Sequence, residues 1–204
     1  MIRKISIPML GILMIAILSF RNSSNTSLPI GSSLPFPSVK VHDIQDRIIS
    51  LKEVSRKNGL LVMFSCNACP YVIKNQERTR AICKFALDNS IGVILLNSNE
   101  AERNNDESFG AMQIYGKAQQ YAWYYALDKD NVLANAFGAS RTPECFLFDK
   151  ELVLAYHGAI DDNPTDAQNV KRAHLKEAIK ELTAGKKITI KETRSVGCGI
   201  KKKS

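Results

Sequence analysis

The chain has 204 residues, 45% of them hydrophobic, which is enough for one domain with a well-formed core plus extensions. Its net charge of +8 sits at the two ends: the first 21 residues carry three positive charges and residues 185–204 a net six, leaving the body at −1. No basic face remains in the folded part, which excludes nucleic acid as a partner.

In chain order, Arg3 and Lys4 precede an almost uninterrupted apolar run from Ile5 to Phe20. A positive n-region before a run of that length reads as an export signal over residues 1–21 or, uncleaved, as a membrane tether through residues 5–20. With no cysteine in or just after the run, a bacterial lipid anchor is excluded; Ser19 and Ser24 are weak cleavage markers, and the mature chain is expected to begin after Phe20. Export places the protein in the periplasm or at the outer face of the inner membrane, an oxidising compartment. Its five cysteines cannot all pair within one chain there. Asn22 to Pro37 is a Ser/Asn/Pro-rich linker. Val39–Asp43 and Arg47–Leu51 predict a hairpin, Lys52–Lys57 one helical turn, and Asn58-Gly59 a turn into the next strand.

Leu60–Phe64 is a short continuous apolar run that predicts a buried strand, and Cys66-Asn67-Ala68-Cys69-Pro70 follows Ser65. Two cysteines one helical turn apart at a strand-to-helix junction lie within disulfide reach, and a helix N-terminus stabilises a thiolate. Pro70 suits the first helical turn, where its missing N–H costs nothing. Cys66 is therefore expected to titrate below the free-thiol value of about 8.5. A structural zinc site would need a second CxxC or a His pair at ligand spacing, and neither is present, so no metal is assigned. The helix then runs to about Leu87 with Val72/Ile73, Ile82/Cys83 and Ala86/Leu87 on its apolar face. Cys83 lies about 21 Å along that helix from Cys69 and reads as a buried core thiol.

Gly92–Leu96 predicts a second buried strand, ending in Asn97-Ser98-Asn99 and a polar segment to Glu107. Ser108–Tyr121 predicts a helix, Trp123–Leu127 a strand, and Asn131–Phe137 a short helix closed by Gly138. Thr142-Pro143 opens a strand over Glu144–Asp149, and the turn at Lys150-Glu151 joins it to Leu152–His157. Asp166–Ala184 predicts an amphipathic helix with Val170, Leu175, Ile179 and Leu182 inward. The order argues an α/β domain over residues 38–185, a central mixed β-sheet flanked by helices with an N-terminal β-hairpin extension. A basic cysteine-containing tail occupies residues 186–204.

This pattern resembles the thioredoxin fold, and in detail its peroxiredoxin-like (redoxin) branch. The resemblance rests on Phe64-x-Cys66-Asn67-x-Cys69-Pro70-Tyr71-Val72, on Leu95–Asn99, and on Thr142-Pro143-Glu144 with Phe146–Asp149. Tyr156-x-Gly158 with Asp161-Asp162, and the ending Gly197–Lys201, also match. It implies a cis-Pro143 facing the CxxC, Thr142 and Pro70 at the partner-binding edge, Cys66 as exposed nucleophile and Cys69 as resolving cysteine. It implies no cofactor, and partners that are protein or small-molecule thiols and disulfides, with an upstream thioredoxin-like electron donor. Against thioredoxin, Ser65 stands for a Trp and Leu60 for a buried acid, a role that Glu144 could take over. Against peroxiredoxins, Cys69-Pro70 aligns with the peroxidatic Cys-Pro, Cys66 replaces the peroxide-orienting Thr and Val62 an earlier Pro, while Arg141 lies near the cis-proline.

Cys145 reads as packed in its strand. Cys198, flanked by Gly197 and Gly199 in a flexible tail, is either a third redox thiol, a disulfide partner or a free thiol. His42, His157 and His174 are scattered and take no ligand role. Three functions follow in order: an exported thiol–disulfide oxidoreductase working through Cys66 and Cys69, a thiol peroxidase using Cys69, and a copper-binding protein in which His157 completes a dithiolate site.

Overall fold

The structure, a computed structural model, describes residues 26–203. The expected export segment, residues 1–21, lies outside the described residues. Among those described, no helix is long and apolar enough to cross a membrane.

Leu60–Ser65 (β3) is apolar without interruption because both its faces are covered. Leu60, Val62 and Phe64 point into one core and Leu61 and Met63 into the other. β3 pairs in parallel with Gly92–Asn97 (β4), from Leu60 opposite Gly92 to Ser65 opposite Asn97. On its other edge it pairs antiparallel with Glu144–Phe148, from Leu60 opposite Phe148 to Phe64 opposite Glu144. The hairpin Lys40–Asp43 (β1) and Ile48–Ser50 (β2) forms as expected and joins the sheet through Tyr124–Leu127 (β5). With Arg141–Thr142 as β6, Glu144–Phe148 as β7 and Leu154–Gly158 as β8, the seven-stranded order is β2-β1-β5-β4-β3-β7-β8. This is the thioredoxin-like fold, a mixed sheet between two layers of helices. β3 is central, so its C-terminal end meets the start of β7, and there the chain sets Cys66 and Thr142-Pro143 side by side.

Leu51–Val54 (α1) is held by a capping box between Ser50 and Glu53. With Val132–Phe137 (α5) it covers one face, where Phe64, Phe137 and Phe146 meet edge to face. Gly138 ends α5 in the left-handed region at φ 61°. The helix after the CxxC is two helices, Pro70–Lys74 (α2) and Gln76–Asp88 (α3), separated at Asn75, whose side-chain amide donates to the carbonyls of Tyr71 and Pro164. Phe109–Ala118 (α4), α3 and His174–Thr183 (α6) cover the other face. The last helix begins eight residues later than its pattern predicts. Asp162 accepts from the Lys171 amide and Asp166 from the Gln168 amide, and these side-chain bonds hold residues 162–171 in turns.

Two expectations about the chain ends change. Residues 26–37, read as linker, are bonded to the body, Leu28 to the Phe137 carbonyl and Leu34 to the Leu152 carbonyl, with Leu34 buried. The tail is not flexible either. It runs back across the domain as a strap: the His157 amide donates to the Lys191 carbonyl and the Thr193 amide to the His157 carbonyl, Ile188 is buried, and Cys198–Gly199 (β9) pairs antiparallel with β6.

Candidate active site

Cys66 leaves the end of β3, Asn67 and Ala68 form the connecting loop, and Cys69 caps α2 with Pro70 at its first position. The peptide between Thr142 and Pro143 is cis. The Thr142 hydroxyl is hydrogen-bonded to Cys66 Sγ at 3.3 Å, and the Thr142 carbonyl lies 3.4 Å from Cys69 Sγ. One residue thus touches both cysteines, its side chain one and its backbone the other. Cys66, Cys69 and Val72 form a small apolar cluster of their own, with Tyr71 and Cys198 packed against it.

Of the alternatives open for Cys198, the structure has the disulfide partner, and Cys69 is paired with it rather than with Cys66. Cys69 is disulfide-bonded to Cys198, with the Cα atoms 6.1 Å apart, and Cys66, Cys83 and Cys145 are free and buried. Cys66 is only 1% exposed and Cys69 6%, so Cys66 is not the exposed thiol of the pair. Nor is its thiol acidic. Burial pushes it up to about 11 and the Glu107 carboxylate adds to the rise, against the Thr142 hydroxyl and the Cys69 and Ala68 amides. The expectation of a low value considered the helix end alone and left out burial and a buried acid.

That acid is the residue the sequence reading missed. Glu107 is 2% exposed and accepts hydrogen bonds from the amides of Asn67 (2.9 Å) and Ala68 (3.1 Å) and from Asn97 Nδ2 (2.6 Å). The Asn67 side chain is held between the Asp106 carbonyl and the Tyr125 hydroxyl. The loop between the cysteines is therefore anchored to the segment after β4, not to the helix it precedes. Its only trace in the sequence is a polar stretch, Asn97–Glu107, after a buried strand.

Glu144 does not substitute for the missing buried acid. At 3% exposure, its Oε2 accepts from the Ser140 and Arg141 amides at 2.9 and 3.0 Å, and its Oε1 pairs with His157 Nε2 at 2.8 Å. It fastens the loop that carries Thr142. His157 is thereby tied to Glu144 and stacked on Phe146, and among the described residues no group of three His, Cys, Asp or Glu side chains is placed to hold a metal ion. Arg141 is exposed and donates to the Gly197 carbonyl at 3.1 Å. Cys83 and Cys145 lie in the core between the sheet and α3, where burial drives both thiols far up. A cavity of about 240 Å³ opens beside the disulfide, lined by Cys69, Pro70, Glu102, Asp106, Glu107 and Cys198 among others.

The profile of the Redoxin family matches residues 31–174, more than half of the chain. The chain belongs to the Redoxin family. This redoxin is similar in structure to a hypothetical protein from Sinorhizobium meliloti, at 29% identity and TM-score 0.79, covering 88% of this chain and 97% of that one. An uncharacterized conserved protein from Geobacillus kaustophilus aligns at 26% identity and TM-score 0.79, over 86% of this chain and 93% of that one. A putative protein disulfide isomerase from Bacteroides thetaiotaomicron shares the fold at 15% identity and TM-score 0.58, over 77% and 91% of the two chains. A comparison with curated proteins gave no match. The family makes this chain a redox protein of thioredoxin-like fold, and the cysteines around Thr142 are its candidate centre. The family match ends at residue 174, so Cys198 and the strap lie outside it.

Proposed function

We propose that this redoxin is an exported thiol–disulfide oxidoreductase that exchanges electrons with protein dithiols and disulfides through Cys69, Cys198 and Cys66. The observation that carries the reading is the Cys69–Cys198 disulfide with the free Cys66 in the same apolar cluster. A partner thiolate attacks Cys69 Sγ; the bond to Cys198 breaks and Cys198 leaves as a thiolate that takes up a proton. The partner, now in a mixed disulfide with Cys69, is displaced by its own second thiol, which leaves the partner oxidised and Cys69 and Cys198 reduced. Run backwards, the same steps reduce a partner disulfide. Cys66 is placed to rescue a stalled adduct, because its thiolate can attack Cys69 and release the partner with a Cys66–Cys69 disulfide. This gives Cys69 the attacking part that the sequence assigned to Cys66, for a physical reason: Cys66 is the more buried of the two, and burial pushes its thiol up to about 11. The export segment supports an oxidising working compartment.

The test is a pair of single variants in an insulin-type disulfide reduction assay. Cys69→Ser is expected to abolish activity, and Cys66→Ser, which leaves Cys198 as the displacing thiol, to retain activity while stalled mixed disulfides on Cys69 go uncleared. The opposite pattern would return the attacking role to Cys66; full activity in both would end the proposal.

One observation favours a second reading. A disulfide between a Cys-Pro cysteine at a helix start and a distant cysteine is also the product of peroxide chemistry. Cys69 thiolate would reduce a peroxide to an alcohol, becoming a sulfenic acid, and Cys198 would condense with it, releasing water. Peroxide consumption by Cys66→Ser with a dithiol donor, faster than its disulfide reduction, would select this reading.

A further inference from the structure

We infer that the strap occupies the partner's own groove, and that the partner is an extended protein segment with glycine before its cysteine and a basic residue after it. The inference deepens the proposed exchange and rests on it.

The geometry is that of a mixed disulfide closed on itself. β9 runs antiparallel to β6 with Cys198 opposite Thr142 and Gly199 opposite Arg141. The Ile200 amide donates to the Ser140 carbonyl at 3.0 Å, extending the pairing. Without the strap, residues 140–142 present unpaired backbone groups, the condition under which an edge takes up another strand. That edge lies against Cys69 through the Thr142 carbonyl. A cysteine opposite Thr142 on an added strand is therefore delivered to Cys69, as Cys198 is.

The strap also records what the groove admits. Gly197 packs so closely on the Thr142 carbonyl and the Pro143 nitrogen that a Cβ there would overlap backbone atoms. Nothing flexible lines that contact, so the residue before the entering cysteine must be glycine. Three residues after Cys198, the Lys201 amide donates to Asn99 Oδ1 and its carbonyl accepts from Ala101, where the cavity wall carries Glu102 and Asp106. When the strap leaves, its lysine leaves too, and the two carboxylates face the incoming chain. Both strands cannot use one edge, so a partner pairs along it only as the strap peels away. Cleaving Cys69–Cys198 removes its covalent hold on that edge.

The experiment uses the reduced full chain and peptides of sequence SVGCGIK whose cysteine is activated as a disulfide with thionitrobenzoate. Cys69 attacks the peptide sulfur and thionitrobenzoate departs, giving a coloured readout. Three results are expected: Gly197→Val and Cys198→Ser, which weaken the strap's seat in different ways, both react faster than the unmodified chain. The peptide with valine before its cysteine reacts at least about tenfold more slowly, because the clash has nowhere to relax. A glutamate in place of the lysine also slows the reaction, and added salt shrinks that difference. Equal rates for the glycine and valine peptides, or no gain in either strap variant, would overturn the inference. Small thionitrobenzoate disulfides serve as the control. If they react with Cys69 while the peptides are not distinguished, only the groove assignment fails; if they do not react at all, the exchange reading falls and the inference falls with it.

Discussion

Glu107 and Thr142 pull the Cys66 thiol in opposite directions. After burial, which is the larger cause of its high value of about 11, the acid raises it and the hydroxyl lowers it. Glu107→Gln keeps an oxygen for the Asn67 and Ala68 amides but removes the charge, so Cys66 should ionise at lower pH. Thr142→Val removes the donor to the thiolate, so Cys66 should ionise at higher pH. Titrating the Cβ carbons of isotopically labelled cysteine by NMR checks both signs; shifts in the same direction for the two variants would contradict the assignment. Neither effect was legible in the sequence. Glu107 is forty residues from Asn67, and nothing local marks an acid that turns inward to a loop so far back along the chain. Thr142 could be placed by resemblance, but not its hold on both cysteines.

Elements built on apolar runs were legible, because burial on two faces leaves an unbroken pattern. Leu60–Phe64 and Gly92–Leu96 are strands within a residue of their expected limits. The failures are elements whose shape is set by side-chain hydrogen bonds, such as the break at Asn75 and the late start of α6. The strap failed for another reason: basic composition reads as a solvated tail, while its pairing partners at Arg141–Thr142 lie more than fifty residues away. The stretch between β8 and α6 is likewise held from outside. Arg78 of α3 reaches it with Nη1 at 2.7 Å from Asp161 Oδ2 and 2.6 Å from the Asn163 carbonyl, both ionic side chains being largely buried. Arg78→Ala should cost about 3–5 kcal/mol in urea unfolding, because it strands a buried carboxylate rather than simply deleting a contact. A loss below about 1 kcal/mol would mean that water replaces the guanidinium.

For the molecule as a whole, the buried thiols and phenols set an alkaline limit. Cys66 is pushed to about 11 and Tyr115 to about 12, and Cys83, Tyr121, Tyr125, Cys145 and Tyr156 are all raised, burial being the largest cause in each. A folded-state value above the unfolded one means that the folded chain holds its proton longer. The associated stability is intact below the unfolded values, about 8.5 for cysteine and 10 for tyrosine, and is lost as pH climbs through the folded ones. The reduced protein should therefore keep a level melting temperature from neutrality to about pH 8.5 and lose it steadily above. Calorimetry against pH checks this; a melting temperature that rises between pH 9 and 11 would show these groups to be exposed to water.

The Cys69–Cys198 bond also has a mechanical meaning. It closes a loop spanning 129 positions of sequence. Tension applied at the two ends of the oxidised chain bypasses that loop, and the segment from Cys69 to Cys198 cannot be drawn out even after its sheet has come apart. Reduction frees it, adding on the order of 430–460 Å of extensible length at 3.3–3.6 Å per residue. The redox state of one bond thus decides whether strands β4, β5, β7 and β8 bear load along the chain or stand outside its path, while β3, which precedes Cys69, bears it in either state.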